Sequence, residues 1–217
     1  AVVERDYGCG DPTRWVRSGD RVLDLGSGSG KNAFICSQLV GADGAVIGVD
    51  RNVEMLALSR GAAAQVAEAI GYNNVQFVDG SIEALDAPIG DGTPLVAEES
   101  VDLVLSNCVL NLVNPSDRER LLANIRRVLA PGGRVAISDI VCDQVVPQHL
   151  QDDPDLWSGC ISGAWEESAF LDAFRRLGFE QVHYADRSQD PWREVEGIEF
   201  RAVTLVGDLP GSSGCCP

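Results

Sequence analysis

Three short segments of the chain carry cysteine in settings that could bind a metal or metalloid. They are Tyr7-Gly8-Cys9-Gly10, residues 106–112 around Cys108, and residues 157–164 around Cys160. Thiolates are soft ligands and prefer soft, thiophilic centres. A cysteine taken alone is more often a small apolar side chain of the core. The residues alone leave both interpretations open, a set of thiol ligands or three unrelated core positions.

A glycine-rich loop, Asp24-Leu25-Gly26-Ser27-Gly28-Ser29-Gly30, lies where a predicted strand gives way to a predicted helix. Glycine lets a ligand approach the backbone closely, and the first turn of a helix offers free N–H groups. Leu25 and Asn32 stand where a P-loop needs glycine and a hydroxyl residue, and the dinucleotide pattern G-x-G-x-x-G also fails. Asp50, twenty residues after Gly30, can accept hydrogen bonds from two ribose hydroxyls.

Strands and helices alternate along the first two thirds of the chain, which predicts an α/β fold: a doubly wound, mostly parallel sheet with helices on both faces. Predicted helices cover residues 31–40, 52–70 and 116–129, the last opened by a capping box of Ser116 and Glu119. Beyond residue 143 the pattern changes to a helix ending at Gly178 and two further strands, 181–185 and 198–206. The five earlier strands are predicted at 21–25, 45–50, 75–78, 101–106 and 134–140.

These elements should bring the cysteine segments and the glycine loop to one edge of the sheet. Ligands of doubly wound sheets bind outside the carboxyl ends of the strands. Cys108 follows the fourth predicted strand, Cys160 lies in the insertion after the fifth, and Cys9 precedes the first. We therefore expect the three thiols beside the ligand of the glycine loop.

The order D-x-G-x-G-x-G, then an acidic strand end, resembles the class I S-adenosylmethionine-dependent methyltransferases. That resemblance implies a Rossmann-like core in which Asp24 lies near the methionine amino group. It also implies that residues 79–83, after the third strand, lie beside the adenine. The predicted cofactor-binding residues are Asp24, Gly26, Ser27, Gly28, Gly30, Asp50, Arg51, Ile82, Glu83 and Asn107.

The cysteine segments, with Gly41 and the Leu-Ala-Pro-Gly-Gly turn at residues 129–133, closely resemble the arsenite methyltransferases. The resemblance implies that Cys9, Cys108 and Cys160 bind trivalent arsenic as a pyramid of three sulfurs, for methylation of arsenite or methylarsenite in arsenic detoxification. The arsenic lone pair could then attack the sulfonium methyl without a general base. Glutathione or thioredoxin would deliver or recycle the arsenic as thiol reductant. The implied domains are a cofactor-binding core (1–143), an arsenic-binding cap with the final strands (144–210) and a flexible Cys-Cys tail (211–217).

Some residues depart from the family pattern or have no assigned role. Asn32 and Arg51 replace an acidic residue and a methionine, and a further upstream cysteine of many relatives is not in this chain. Cys36 is interpreted as a core residue. Cys142 matches no motif, and the tail cysteines Cys215 and Cys216 are either a handover site for arsenic or dispensable.

Composition limits the partners. The net charge of −16, from 17 basic and 33 acidic residues, argues against nucleic acid. No apolar run reaches the roughly 20 residues of a membrane span, and no secretory leader is recognisable. We expect a cytoplasmic monomer with a small-molecule substrate. An odd number of cysteines, seven, in such a chain does not indicate a structural disulfide framework, which leaves core residues, metal or metalloid ligands, or redox groups as their roles.

Two alternatives remain open at this stage. The first is an enzyme of the same fold that methylates another small-molecule acceptor, in which case the cysteines are replaceable. The second is a non-enzymatic thiol site for zinc or a metalloid. The cysteines lack the C-x-x-C spacing of structural zinc sites, which argues against the second alternative.

Overall fold

A nine-stranded sheet forms the centre of the molecule. The structure, a computed structural model, describes residues 9–211. Tyr7, Gly8, Cys215 and Cys216 therefore lie outside the described residues, with most of the predicted tail. In chain order the strands are β1 (Arg21–Leu25), β2 (Ala45–Asp50), β3 (Val75–Asp79), β4 (Val101–Asn107), β5 (Leu129–Cys142), β6 (Trp165–Glu166), β7 (Glu180–Arg187), β8 (Arg193–Val195) and β9 (Ile198–Asp208).

The strand order is β3-β2-β1-β4-β5-β9-β7, with β6 beside β5 and β8 beside β9. Strands β1 to β5 pair in parallel, while β9 is antiparallel to both β5 and β7. The chain leaves β3 at one edge and returns as β4 on the other side of β1. This reversal is the switch point at which doubly wound sheets bind ligands. The predicted α/β, doubly wound and mostly parallel fold is confirmed.

Helices cover both faces of this sheet, and their apolar sides pack against it in two separate cores, one on each face. Phe34 and Leu56 pack with the sheet on one face, whereas Ile125 and Phe174 pack on the other. Among the described residues, no helix is both long and apolar enough to serve as a membrane span. The helices are α1 (Lys31–Val40), α2 (Val53–Ile70), α3 (Arg118–Val128), α4 (Gln148–Gln151), α5 (Pro154–Ser158) and α6 (Glu167–Arg176).

The start of α3 differs from the predicted capping box. Asn114 accepts hydrogen bonds from both the backbone N–H and the hydroxyl of Ser116, at 3.0 and 2.8 Å. Pro115 begins a 3-10 turn there, and α3 begins at Arg118 with Asp117, not Ser116, as its N-cap. The capping-box prediction is wrong because Asn114 competes for the same donors.

The segment after residue 143 contributes to the same sheet. Strand β9 pairs with β5 from Arg134 to Cys142, and β7 pairs with β9. A third apolar cluster lies between this segment and the strand ends, and it includes Cys142 and Cys160. The division into a core and a cap at residue 143 stays a prediction.

Candidate functional site

One large cavity lies at the carboxyl ends of the parallel strands. Its volume is about 1120 Å³. This is above the 300–1,000 Å³ typical of small-molecule sites, so it has room for a cofactor and a substrate. The glycine loop and the cysteine segments share this cavity, through Gly26, Ser27 and Gly28 on one part of its wall and Cys9, Cys108 and Cys160 on another.

The glycine loop takes a backbone path that side chains would obstruct. Gly26 has φ +69°, and a Cβ atom there would lie 2.4 Å from a methyl carbon of Val109. Gly28 has φ +52°, and a Cβ atom there would meet no described atom within 4 Å, because the loop faces the open cavity. Gly30, the N-cap of α1, packs against Phe77 and does not line the cavity among the described residues. The loop therefore exposes its backbone to a ligand at Gly26–Gly28.

Two buried side-chain oxygen atoms lie at the glycine loop. The Asp24 carboxyl and the Ser27 hydroxyl each have a buried oxygen without a hydrogen-bond partner among the described residues. The pKa of Asp24 is raised to about 7, mainly by burial and also by the negative charge of Asp50, while a hydrogen bond from the Ala33 backbone acts to lower it. Buried polar groups normally have hydrogen-bond partners. These two oxygen atoms therefore fit a ligand that places a cation or hydrogen-bond donors at this end of the loop.

Asp50 connects the end of β2 to the glycine loop. Its two oxygens accept hydrogen bonds from the backbone N–H groups of Gly28 at 2.8 Å and Asn52 at 2.7 Å. A carboxylate has about four acceptor sites, so two hydroxyl groups can still bind. Arg51, Ile82 and Glu83 line the same cavity as predicted neighbours of a cofactor.

Cys9 and Cys108 are joined by a disulfide bond. Their Cα atoms lie 5.9 Å apart although 99 positions separate them in sequence. Both residues line the large cavity. The cysteine count alone did not indicate this pair; the fold brings the two segments into contact. The disulfide therefore forms part of the wall of the cavity.

Asn107, the last residue of β4, holds the segment that carries Cys9. Its side-chain oxygen accepts hydrogen bonds from the backbone N–H groups of Cys9 at 2.9 Å and Gly10 at 3.3 Å. Its side-chain nitrogen donates to the Gly10 carbonyl at 2.8 Å. Asn107 lines the cavity where a cofactor contact is predicted, but its observed hydrogen bonds position the N-terminal cysteine.

Cys160 follows α5 and lies beside this pair. Its thiol donates a hydrogen bond to the Cys108 carbonyl at 3.5 Å, and its own carbonyl accepts one from the Asn111 side chain at 3.1 Å. Burial, with a smaller effect of the Asp139 charge, raises the pKa of the Cys160 thiol to about 12. The structure therefore brings all three predicted cysteines to one wall of the cavity, with Cys160 as a protonated thiol.

Asp139 on β5 is a site residue that the sequence analysis missed. One of its oxygens and the sulfur atoms of Cys9 and Cys108 all lie within 4.8 Å of one another. Burial raises its pKa to about 6, against the opposing effect of backbone hydrogen bonds led by that from Ile140. The sequence did contain one indication of this role, an acidic residue inside a mostly apolar strand, because buried carboxylates are rare without a role.

Two further cysteines lie away from this group. Cys36 is buried on α1, and burial strongly raises the pKa of its thiol. The Cys142 thiol donates a hydrogen bond to the Trp165 carbonyl at 3.2 Å, and burial raises its pKa to about 12. Both are protonated thiols with core contacts.

Known proteins resemble this chain in sequence and in structure. The family of methyltransferase domains matches residues 16–190. The arsenite methyltransferase of Halobacterium salinarum is 41% identical over 84% of this chain and 43% of its own length. The human arsenite methyltransferase is 36% identical over 82% of this chain and 46% of its own length, so the chain spans about half of these relatives. An arsenic(III) S-adenosylmethionine methyltransferase from Chlamydomonas reinhardtii superposes with a TM-score of 0.84 at 35% identity, over 98% of this chain and 70% of that one.

Proposed function

Because this chain belongs to the arsenic(III) S-adenosylmethionine methyltransferase family, we propose that it methylates trivalent arsenic held by its own cysteines. The observation that carries the proposal is that Cys9, Cys108 and Cys160 share one cavity with the glycine loop. A methyl donor on the loop and an acceptor on the thiols would then be neighbours.

The loop side of the cavity would hold S-adenosylmethionine. When bound, this cofactor supplies an electrophilic methyl group on a positively charged sulfur. The backbone of Gly26–Gly28 would approach it closely, and Asp50 would accept hydrogen bonds from the ribose hydroxyls. Asp24 would pair with the methionine ammonium group, since its buried oxygen has no partner in the described residues. Burial disfavours the charged carboxylate and raises its pKa, and a cation beside it would stabilise that charge and lower the pKa again.

The cysteine side would hold the substrate. Trivalent arsenic binds three thiolates and keeps a lone pair, so no general base has to create the nucleophile. The cysteines act by holding arsenic in line with the methyl group, and such positioning supplies a large part of a two-reactant barrier. Cys9 and Cys108 are paired here. A thiol reductant such as glutathione or thioredoxin must therefore open the disulfide before these two residues can bind arsenic.

Replacement of each cysteine by serine tests the proposal. The assay supplies radiolabelled S-adenosylmethionine, arsenite and glutathione, and separates the products by chromatography. We expect Cys9→Ser, Cys108→Ser and Cys160→Ser to lose nearly all arsenite methylation while they still bind S-adenosylhomocysteine. Cys36→Ala is the matched control, because Cys36 is buried on α1 outside the cavity lining. Full activity of Cys108→Ser or Cys160→Ser would contradict the proposal.

The same assay separates the alternatives. Methylation of another acceptor predicts that arsenite leaves cofactor turnover unchanged in the unaltered enzyme. A zinc-binding role predicts stoichiometric zinc in the purified reduced protein. Product speciation also counts the methyl groups added to arsenic, and gel filtration tests the expected monomer.

A further inference from the structure

One half of the Cys9–Cys108 disulfide lies between two cavities. Cys9 lines the large cavity and also a second cavity of about 380 Å³. Cys108 lines the large cavity and is not among the described residues around the second one. The second cavity is bounded by Gly10 and by residues of β7 and β9 that include Asp186, Arg187 and Thr204.

The chemistry of disulfide exchange makes this difference important. A thiolate attacks one sulfur in line with the S–S bond, and the other sulfur leaves as thiolate, so access decides which sulfur is attacked. We propose that the second cavity binds a low-molecular-weight thiol that reduces the disulfide by attacking the Cys9 sulfur. A thiol in this cavity would lie beside Cys9, whereas Cys108 is not among the described residues that line it.

The reaction balances with two molecules of the thiol. The first thiolate forms a bond to the Cys9 sulfur, the Cys9–Cys108 bond breaks, and Cys108 leaves as thiolate. A second thiolate attacks the sulfur of the first small thiol in the mixed disulfide, and Cys9 leaves in turn. The two small thiols become one disulfide, the protein disulfide gains two electrons, and the protons of the small thiols pass to the protein thiolates or to solvent.

The charges around the second cavity suit a small zwitterionic thiol with carboxylate and ammonium groups, such as glutathione. Arg14 pairs with Asp186 at 3.0 Å, with 62% and 51% of the two side chains exposed. Arg187 pairs with Glu167, also near the surface. Exposed ion pairs contribute little stability, so these groups can exchange partners for the charges of a ligand. The cavity volume of about 380 Å³ lies within the range of small-molecule sites.

The hydrogen bonds of Asn107 fit this direction of attack. They hold the backbone of Cys9 and Gly10 while the S–S bond breaks. Cys108 would then be released into the large cavity, where the methyl acceptor would bind. Only this last consequence rests on the proposed function; the order of attack on the two sulfurs does not.

Mass spectrometry of the trapped intermediate tests the inference. The oxidised full chain is mixed with limiting glutathione, quenched in acid within one turnover, alkylated and digested. We expect glutathione on Cys9 and an alkylated Cys108. Glutathione on Cys108 would overturn the inference. Because no arsenic or methyl donor is present, the result is independent of whether the chain methylates arsenite.

A variant that fills the second cavity provides the kinetic test. Ser188 is exposed at the wall of this cavity, so Ser188→Trp should slow reduction by glutathione about tenfold or more. Asp190→Trp is the matched control, because Asp190 is exposed nearby without lining either cavity. Affinity for S-adenosylhomocysteine, measured in both variants, verifies that the fold is kept. Equal reduction rates in Ser188→Trp and the unaltered chain would place the attack in the large cavity.

Discussion

Asp24 should destabilise the ligand-free protein at neutral pH, and Asp24→Asn should reverse this. The carboxyl group is almost fully buried, and one of its oxygens has no hydrogen-bond partner among the described residues. Asparagine has nearly the same shape and keeps the oxygen that accepts from the Ala33 backbone. The substitution removes the buried charge and its repulsion by Asp50.

The size of the effect follows from the pKa. Its rise from 3.8 to about 7 means that the unfolded chain ionises at lower pH than the folded one. The stability present at low pH is therefore lost as pH rises through this interval, and the loss is complete above about pH 7. At 1.36 kcal/mol per pH unit, the loss in the free energy of unfolding amounts to about 4 kcal/mol at pH 8 and about 2 kcal/mol at pH 5.

Urea unfolding at pH 5 and pH 8 measures this difference directly. We expect Asp24→Asn to be more stable than the unaltered chain at both values, with a gain about 2–3 kcal/mol larger at pH 8. Asp91→Asn is the control, because Asp91 is exposed and the Thr93 hydroxyl lowers its pKa. A gain that does not grow with pH would refute the reasoning.

The same substitution should weaken cofactor binding. If the Asp24 carboxylate pairs with the methionine ammonium group, its loss removes a hydrogen bond to a charged group, about 1.5–3 kcal/mol. That corresponds to an affinity for S-adenosylhomocysteine lower by about 10- to 100-fold, as measured by calorimetry. A stability gain combined with unchanged affinity would assign Asp24 a purely structural role.

Two further substitutions test the supports of the site. Gly163→Ala should weaken arsenite binding and keep the affinity for S-adenosylhomocysteine, because the new Cβ would lie 1.9 Å from the Asn111 carbonyl oxygen and displace the turn that carries Cys160. Titration of the intrinsic fluorescence with arsenite measures the affinity, and an unchanged value would contradict this prediction. Arg134→Met should lower the free energy of unfolding by about 3–5 kcal/mol, because it leaves the buried Asp20 carboxylate without its guanidinium partner. Urea unfolding checks this loss, and Arg134→Met combined with Asp20→Asn should recover part of it.

The cofactor half of the fold was predictable because its signals are local. The strand at residues 21–25 is apolar, the glycine loop follows at once, and Gly71 ends the helix that Asn52 begins. Each signal acts within a few residues, so sequence and structure agree there. The predicted membership of the arsenite methyltransferase family is confirmed. The residue-by-residue ligand set stays a prediction.

The remaining features depend on contacts between distant segments. The pairing of Cys9 with Cys108 spans 99 positions, and no spacing rule chooses it over the other pairs among seven cysteines. In the sequence Asp139 is only an acidic position within a predicted strand. Its proximity to the cysteines depends on where the fold places β5. Asn111 is similar, because its side chain reaches the Cys160 carbonyl 49 residues away. These roles come from the tertiary arrangement.

The disulfide also changes the topology of the chain that has to fold. It closes a loop from residue 9 to residue 108, which contains β1 to β4, the glycine loop and Asp50. In the chain-entropy description, a crosslink over about 100 residues stabilises a protein by about 4–5 kcal/mol, since the unfolded chain loses freedom. In that description the reduced protein unfolds more easily than the oxidised protein by the same amount. Opening the disulfide would therefore free the two cysteines at the cavity and at the same time remove a crosslink that holds the loop-bearing half of the chain together.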